Sequence, residues 1–221
     1  MMSGKILESD FFKRDTVEVA KSLIGKKIIR NISGNFFCAK IVETEAYLGL
    51  EDRACHSYGG KITERNKTLY LPGGHIYVYL IYGMYDLLNI VTRDEDHPEA
   101  VLIRGVEPLD NLDGIAKNRF GKSYEELSNY QRKNLTNGPG KLSKGLAIDR
   151  SLNGKILSED YLYIGEGEDV PEEDLVITKR IGIDYAGEDA KLPLRFCLRD
   201  NPYVCLLYTS DAADDLTRVD L

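Results

Sequence analysis

The chain has 221 residues, 43% of them apolar, which is enough for one domain with its own core. No run of eighteen apolar residues occurs, and the start of the chain lacks the apolar segment of a signal peptide, so neither a membrane span nor export is predicted. The net charge of −7 argues against a DNA-binding surface spread over the whole protein. The four cysteines show no disulfide or metal spacing, which predicts free thiols in the cytoplasm.

Capping and turn signals divide the chain into short elements. Asp15 followed by Glu18 is typical of a capping box and predicts a helix that Gly25 ends. Ser-Gly-Asn between two β-rich runs predicts a hairpin, and the segment around Gly83 predicts a second one. The predicted strands are Lys26–Ile32, Phe36–Val42, Ile76–Ile81, Tyr85–Val91, Ala100–Glu107, Tyr161–Ile164, Leu175–Arg180 and Leu194–Leu198. The predicted helices cover residues 15–24, 109–117, 123–133 and about 137–147.

These elements alternate irregularly, with hairpins instead of β–α–β crossovers. The pattern predicts a single α+β domain built on a mainly antiparallel sheet. The acidic stretch Glu166–Asp174 is expected to be an exposed loop.

Two runs concentrate residues that can carry chemistry. Residues 42–56 read VETEAYLGLEDRACH, and residues 75–89 read HIYVYLIYGMYDLLN. The first run is expected to leave the second strand of the hairpin and enter a glycine-rich loop at 57–61. Carboxylates, a histidine and several tyrosines at this density predict a site that holds a flat ring and polarises a water beside it.

The two runs resemble the alkyladenine (3-methyladenine, alkylpurine) DNA glycosylase family, and the resemblance extends from Ile6 to Val204. It implies a monofunctional enzyme of base excision repair that flips out and hydrolyses alkylated or deaminated purines, the 3-methyladenine and hypoxanthine class. The implied fold is a curved sheet surrounded by helices, with a protruding hairpin that inserts into DNA. The implied protein is a monomer without cofactor or metal. Its expected partner is double-stranded DNA containing damaged purines. Its expected location is the cytoplasm of a bacterial-type cell, in association with the nucleoid.

The resemblance places the catalytic glutamate at Glu45. A carboxylate at this position would stabilise an oxocarbenium-like sugar and deprotonate the attacking water. Glu43 lies on the same face of an extended strand and is expected to have a supporting or structural role. Arg104 resembles an arginine near the sugar-phosphate and the water, and its apolar neighbours require an anionic partner, either a phosphate or a carboxylate.

The resemblance also assigns a base pocket. Tyr47 and Tyr79 would stack on the base, His56 would contact it through polar atoms, and Asn89 would help to exclude guanine. A tyrosine stripe is more often part of a core, and a lone histidine is more often structural. The assignment therefore depends on the motif positions of these residues.

Further residues are expected to contact the DNA. Tyr82 and Met84 flank Gly83 at the tip of the predicted hairpin, where an aromatic can wedge into the space left by a flipped base. Gly138, Lys141 and Lys144 begin a helix that suits a phosphate, and Arg65 lies near the pocket loop. Lysines and arginines cluster at these positions, so a basic face is expected on an acidic protein.

The last seventeen residues, 205–221, resemble a translated sequencing adaptor, and residues 1–204 are expected to form the glycosylase domain. The segment carries four aspartates against one arginine, a net of −3, which leaves −4 for residues 1–204.

Two other functions compete with the glycosylase. One is a DNA-binding module that senses modified bases without cutting them. Only Glu45 distinguishes the predicted enzyme from such a module. The other is a metal-dependent hydrolase that would use Glu43, Glu45, Asp52 and His56, although their spacing matches no metal motif.

Overall fold

The computed structural model describes residues 5–205. Its helices are α1 (Ser9–Phe12), α2 (Thr16–Ser22), α3 (Leu112–Phe120), α4 (Asn129–Lys133) and α5 (Pro139–Gly145). Its strands are β1 (Lys27–Ile32), β2 (Asn35–Tyr47), β3 (Ile76–Ile81), β4 (Tyr85–Thr92), β5 (Glu99–Pro108), β6 (Leu162–Gly165), β7 (Leu175–Thr178) and β8 (Arg195–Leu198). The predicted adaptor segment lies outside this part from residue 206 onward, so its origin and the predicted 1–204 boundary stay predictions.

The strands form one sheet around β2. The order is β3-β4-β5-β2-β1-β6, with β8 beside β2 and β7 beside β8, and every pair of these named strands is antiparallel. Strand β2 has thirteen residues and pairs with β1 over residues 35–40, with β5 over residues 39–47 and with β8 over residues 43–45. The α+β class and the antiparallel sheet are confirmed.

Side-chain alternation gives the central strands two different faces. From Thr44 onward the even residues of β2 face the main core, where the Thr44 hydroxyl donates to the Ala20 carbonyl of α2 at 2.9 Å; earlier in the strand the odd residues Phe37, Ala39 and Ile41 face this core. The buried core residues on this face of β2 to β5 are Ala46, Ile76, Val78, Leu88, Ile90, Val101 and Ile103. The opposite face carries Glu45 and Tyr47 of β2 and the odd residues Tyr77 and Tyr79 of β3, and this face forms the floor of the cleft described below.

A β-bulge interrupts the β2–β5 ladder beside this second face. Ile41 pairs with Val106 and Thr44 with Ile103, while Glu43 pairs with Gly105. Val42 and Arg104 therefore have no direct partner across the ladder. Bulges of this kind change the direction of nearby side chains, and the unpaired residue of β5 here is Arg104, which the sequence analysis predicts as a site residue.

Several predicted boundaries are wrong. Strand β2 continues to Tyr47, so Glu45 lies within a strand and not at its exit. Helix α3 starts at Leu112 because Asn111, at φ 53°, caps it by accepting from the Gly114 N–H. The predicted helix at 123–133 forms only from Asn129, since Ser128 and Gln131 make a capping box there.

Other predictions are confirmed. Asp15 caps α2 by accepting from the backbone N–H groups of Val17 and Glu18. Residues 166–174 are mostly exposed and contain one short 3-10 turn, Glu172–Asp174. Within residues 5–205 no helix is long and apolar enough to cross a membrane.

Candidate active site

One row of paired residues crosses four strands on the second face of the sheet. Glu45 of β2 pairs with Leu102 of β5, Leu102 with Asn89 of β4, and Asn89 with Tyr77 of β3. Directly paired residues project to the same face, so sequence positions 12 to 57 residues apart share one surface. Tyr47 and Tyr79 follow two residues later on their strands and join this surface.

This surface forms the floor of a cleft of about 1370 Å³. Its lining includes five cationic side chains and no aspartate or glutamate among the described residues. The cations are Arg104, Arg119, Lys122, Lys141 and Lys144. Charge is therefore segregated on a protein with a net charge of −7, which makes the cleft attractive to a polyanion.

Glu45 lies directly beneath the cleft and is fully buried. The Tyr47 hydroxyl donates to its Oε2 at 2.8 Å, and the Ile181 backbone N–H donates to its Oε1 at 2.8 Å. Both donors are neutral, and both residues line the cleft. Oε1 also lies 3.4 Å from Nε of Arg104.

Arg104 is bound more closely to Glu43. Its Nε donates to Oε1 of Glu43 at 2.9 Å, and Glu43 is itself fully buried. Burial alone would lower the pKa of Arg104, but the charges of Glu45 and Glu43 outweigh burial and raise it. The anionic partner that the sequence requires for this arginine is thus a carboxylate of the protein.

Tyr47 is held between two ionic groups. Beyond its bond to Glu45, its ring centroid lies 4.9 Å from Cζ of Arg180, within range of a cation–π contact. Burial, followed by the charge of Glu45, raises the pKa of the Tyr47 phenol well above its ordinary value. The phenol therefore remains a proton donor to Glu45 at neutral pH.

His56 and two tyrosines form an aromatic wall. Nδ1 of His56 lies 2.8 Å from the Tyr77 hydroxyl, and the His56 and Tyr79 rings meet edge to face at 4.5 Å. Burial, followed by the charge of Arg65, lowers the pKa of His56 to about 4. The imidazole is therefore neutral at pH 7.

The Asn89 side chain has a defined orientation. Its amide nitrogen donates to the carbonyls of Tyr77 at 3.2 Å and Leu87 at 3.3 Å. These two acceptors determine which end of the amide is the nitrogen. Asn89 lines the cleft, and its oxygen has no hydrogen-bond donor among the described residues.

Comparison with known proteins assigns the family. The methylpurine-DNA glycosylase (MPG) family matches residues 10–202. The chain belongs to this family. A protein of Clostridioides difficile strain 630 is 52% identical over 199 residues, covering 86% of this chain and 98% of the relative. A Clostridium novyi strain NT protein is 50% identical and a Desulfitobacterium hafniense strain Y51 protein 48% identical, each covering 90% of this chain and 98% of the relative. All three are named "Putative 3-methyladenine DNA glycosylase".

The family assignment confirms the predicted enzyme class, a DNA-3-methyladenine glycosylase acting in DNA repair. The structure bears on one of the two competing functions, the metal-dependent hydrolase. The four residues of the metal-hydrolase alternative do not gather into a site, because no group of three or more His, Cys, Asp or Glu within residues 5–205 is placed to hold a metal ion. Asp52 is instead paired with the Arg180 guanidinium.

The glycosylase carries an exposed aromatic at the tip of the β3–β4 hairpin. Tyr82 is 69% exposed and Met84 57% exposed. Tyr82 and Gly83 have φ of 53° and 71°, and the Met84 N–H donates to the Ile81 carbonyl at 3.1 Å, as in a type I′ turn. A tyrosine in the left-handed region is strained, and such strain is concentrated at functional positions.

Of the other predicted DNA contacts, Gly138, Lys141 and Lys144 line the cleft, and Arg65 lies beside its Tyr79 ring. Gly138 precedes α5, whose first residue is Pro139, and Lys141 donates to Oδ1 of Asn134 at 3.0 Å. Lys144, one turn further on, is exposed. Arg65 is exposed, with its Cζ 5.2 Å from the Tyr79 ring centroid. The structure brings these residues to the cleft or its border but does not test their roles.

The sequence analysis missed three contributors to the site. Ile181 acts through its backbone N–H, which no side-chain motif can reveal. Arg180, predicted as the end of a strand, lies beyond β7 and forms a buried two-point ion pair with Asp52. Tyr185 lines the cleft while 71% exposed. A buried arginine requires an anion, and this rule could have identified Arg180.

Proposed function

We propose that this protein is a monofunctional DNA glycosylase that flips alkylated or deaminated purines, the 3-methyladenine and hypoxanthine class, into the cleft and hydrolyses their glycosidic bond. The observation that carries the proposal is a fully buried Glu45, held by neutral donors directly beneath an aromatic cleft. The product would be an abasic site. No lysine contacts Glu45 in the part of the chain described, so a Schiff-base step is not expected.

In this proposal Glu45 activates the attacking water. Because the carboxylate is fully buried, a water can approach it only through the floor of the cleft, where Tyr47, Arg104 and Ile181 lie. A water bound there would be deprotonated as it attacks the anomeric carbon. The Glu45 charge would also stabilise the oxocarbenium-like sugar, since charges act strongly where water is excluded.

The base would be held by stacking and by its edge. The Tyr47 and Tyr79 rings would supply the stacking surfaces, and an electron-poor alkylated purine favours such rings through cation–π attraction. His56 is neutral at pH 7 and therefore does not repel a cationic base. The Asn89 oxygen is a pure acceptor facing the cleft, which supports its proposed part in selecting among purine edges.

Flipping would be assisted by the β3–β4 hairpin. Tyr82 would occupy the space that the base leaves, with Met84 beside it, as apolar wedges do in other proteins that unstack bases. The cationic wall would bind the backbone through Lys141 and Lys144, with Gly138 allowing close approach and Arg65 beside the pocket. DNA affinity would then depend strongly on salt concentration.

The non-catalytic alternative is a module that senses modified bases. The family assignment gives the enzyme class, and Glu45 is the residue by which a hydrolase and a sensor would differ. A sensor would not require a carboxylate at the end of the pocket, whereas a hydrolase would lose its general base with Glu45.

The test is excision from duplex DNA with one defined lesion, in EDTA and low salt, followed by alkaline cleavage. Substrates would carry hypoxanthine or 1,N6-ethenoadenine, with methylated DNA as a third. We expect lesion-specific breaks with the unaltered protein and at least about a hundredfold slower single-turnover excision with Glu45→Gln. Glu159→Gln, the same change at an exposed glutamate outside the cleft lining, is the matched control. Retained lesion binding without breaks on any substrate would favour the sensor instead.

A further inference from the structure

Four charged side chains form a buried cluster below the cleft: Glu43, Glu45, Arg104 and Arg195. Both carboxylates are fully buried and both arginines nearly so. The cluster is neutral in sum, with two anions and two cations. Buried charges of this kind are tolerated only when each is closely paired, so the choice of partners within the cluster matters.

The pairing is asymmetric. Arg104 and Arg195 both direct Nε to the same oxygen, Oε1 of Glu43, at 2.9 and 2.7 Å. Arg195 does so although β8 pairs it directly opposite Glu45. Its two terminal nitrogens donate to the Thr178 hydroxyl and the Cys205 carbonyl. Both cations next to Glu45 are therefore bound by Glu43.

The second oxygen of Glu43 is also satisfied. Oε2 accepts from the backbone N–H of residue 205 at 2.7 Å, a donor that does not depend on the side chain at that position. Gly105 allows this approach, since a Cβ there would lie 2.6 Å from the Tyr203 carbonyl oxygen. Three donors thus fix the Glu43 carboxylate, which can in turn fix the arginines.

We propose that Glu43 is a positioning residue for catalysis, which takes the Nε hydrogen bonds of Arg104 and Arg195 in place of the Glu45 carboxylate and directs the terminal nitrogens of Arg104 toward the cleft. This inference depends on the proposed function of Glu45 as the base. Glu45 keeps two neutral donors, Tyr47 and Ile181, and a hydrogen-bonded ion pair with an arginine would oppose the uptake of a proton from water. In the described part of the chain, the terminal nitrogens of Arg104 donate to no other residue, so they remain for substrate or water.

Removing the charge of Glu43 should redirect the arginine. In Glu43→Gln the nearest carboxylate to Arg104 is Glu45, already 3.4 Å from Nε. Arg104 would close on Glu45 and weaken it as a base. We expect single-turnover excision at saturating enzyme to fall 10- to 100-fold, while the Kd for duplex containing a tetrahydrofuran abasic analogue changes less than threefold.

A second variant separates positioning from stability. Glu43→Gln leaves an unpaired cation, which destabilises the fold. Glu43→Gln with Arg195→Gln restores a neutral cluster but leaves Arg104 free to pair with Glu45. The proposal expects the double variant to recover thermal stability and to remain slow. Recovery of the excision rate together with stability would overturn it, because Glu43 would then be only structural.

Glu43→Asp supplies a further comparison because it keeps the carboxylate in a shorter side chain. If the charge of Glu43 holds the arginines, this variant should excise at least fivefold faster than Glu43→Gln at comparable stability. Equal rates for the two would count against the proposal. An inactive unaltered protein would refute the proposed function, whereas full activity in a folded Glu43→Gln protein would refute only the role of Glu43.

Discussion

The Tyr47 hydroxyl donates a 2.8 Å hydrogen bond to Oε2 of Glu45, two positions earlier on the same strand. Strand alternation places both side chains on one face, so the bond follows directly from the Glu-Ala-Tyr order once β2 extends to Tyr47. A single residue thus offers a stacking ring to the cleft and a donor to the buried carboxylate.

Tyr47→Phe separates these two roles. The ring remains, but Glu45 loses one of its two neutral donors. We expect the free energy of unfolding to fall by about 1–2 kcal/mol. Excision should slow by about tenfold because the carboxylate is held less precisely, with little change in lesion binding. Single-turnover kinetics and urea unfolding would measure the two effects.

Tyr47→Leu, which also removes the ring, should weaken lesion binding, and equal binding by both variants would contradict a stacking role.

Tyr82→Asn should make the protein more stable and less active. Asparagine before glycine suits a type I′ turn, whereas tyrosine at φ 53° is strained. We expect the free energy of unfolding to rise by about 1 kcal/mol and excision from duplex DNA to fall at least about tenfold. Excision from single-stranded DNA, where no stack must be opened, is the control and should fall much less. Unchanged duplex activity would argue against a wedge at this tip.

His56 should make stability depend on pH. Its folded pKa of about 4 lies below the ordinary value of 6.5. Between these values the unfolded chain takes up a proton that the folded chain does not, so the free energy of unfolding falls as the pH decreases from 6.5 to 4. The loss amounts to about 3 kcal/mol.

His56→Gln isolates this contribution, because all other titrating groups remain. The difference in the free energy of unfolding between the two proteins should shrink steadily from pH 6.5 to pH 4, as measured by urea titration at each pH. A constant difference across this range would mean that His56 titrates normally in the folded state.

Lys144→Gln should weaken DNA binding equally for damaged and undamaged duplex. Lys144 is exposed on the cleft wall, so it would contact phosphate and not the base. The slope of log K against log salt concentration should become less steep by about 0.9. Lys5→Gln removes an exposed lysine outside the cleft lining and should leave the slope unchanged. A similar effect of both changes would indicate only a general response to net charge.

Much of the fold can be predicted from local signals. The turn at Gly83 and the cap at Asp15 are confirmed because each depends on residues adjacent in the chain. The prediction that residues 123–128 are helical was wrong, because the Ser128–Gln131 capping box starts the helix at Asn129. The length of β2 was missed because its continuation depends on β5 and β8, which supply pairing from distant parts of the chain.

The site divides in the same way. The motifs predicted a pocket formed by Tyr47, His56, Tyr79 and Asn89, and all four side chains line the cleft. The register of the strands brings distant positions together, since Glu45 and Asn89 lie in one row across the sheet. The partner of Arg104 could not be chosen from sequence, because a phosphate and a carboxylate satisfy the same rule. The hydrogen bond from Ile181 to Glu45 could not be predicted, because its donor is a backbone N–H and does not depend on the side chain. The bulge beside Arg104 could not be predicted either, because bulges have no reliable sequence signal.

The separation of charge between the cleft and the rest of the surface affects how this protein meets DNA. The net charge of the sequence has the same sign as that of the double helix, so DNA is not attracted to the molecule without regard to orientation. An approach with the cleft forward is favoured, because the cleft lining has five cationic side chains and no aspartate or glutamate among the described residues. Misoriented encounters end quickly, and the search for a lesion should consist of many short, correctly oriented visits instead of prolonged sliding.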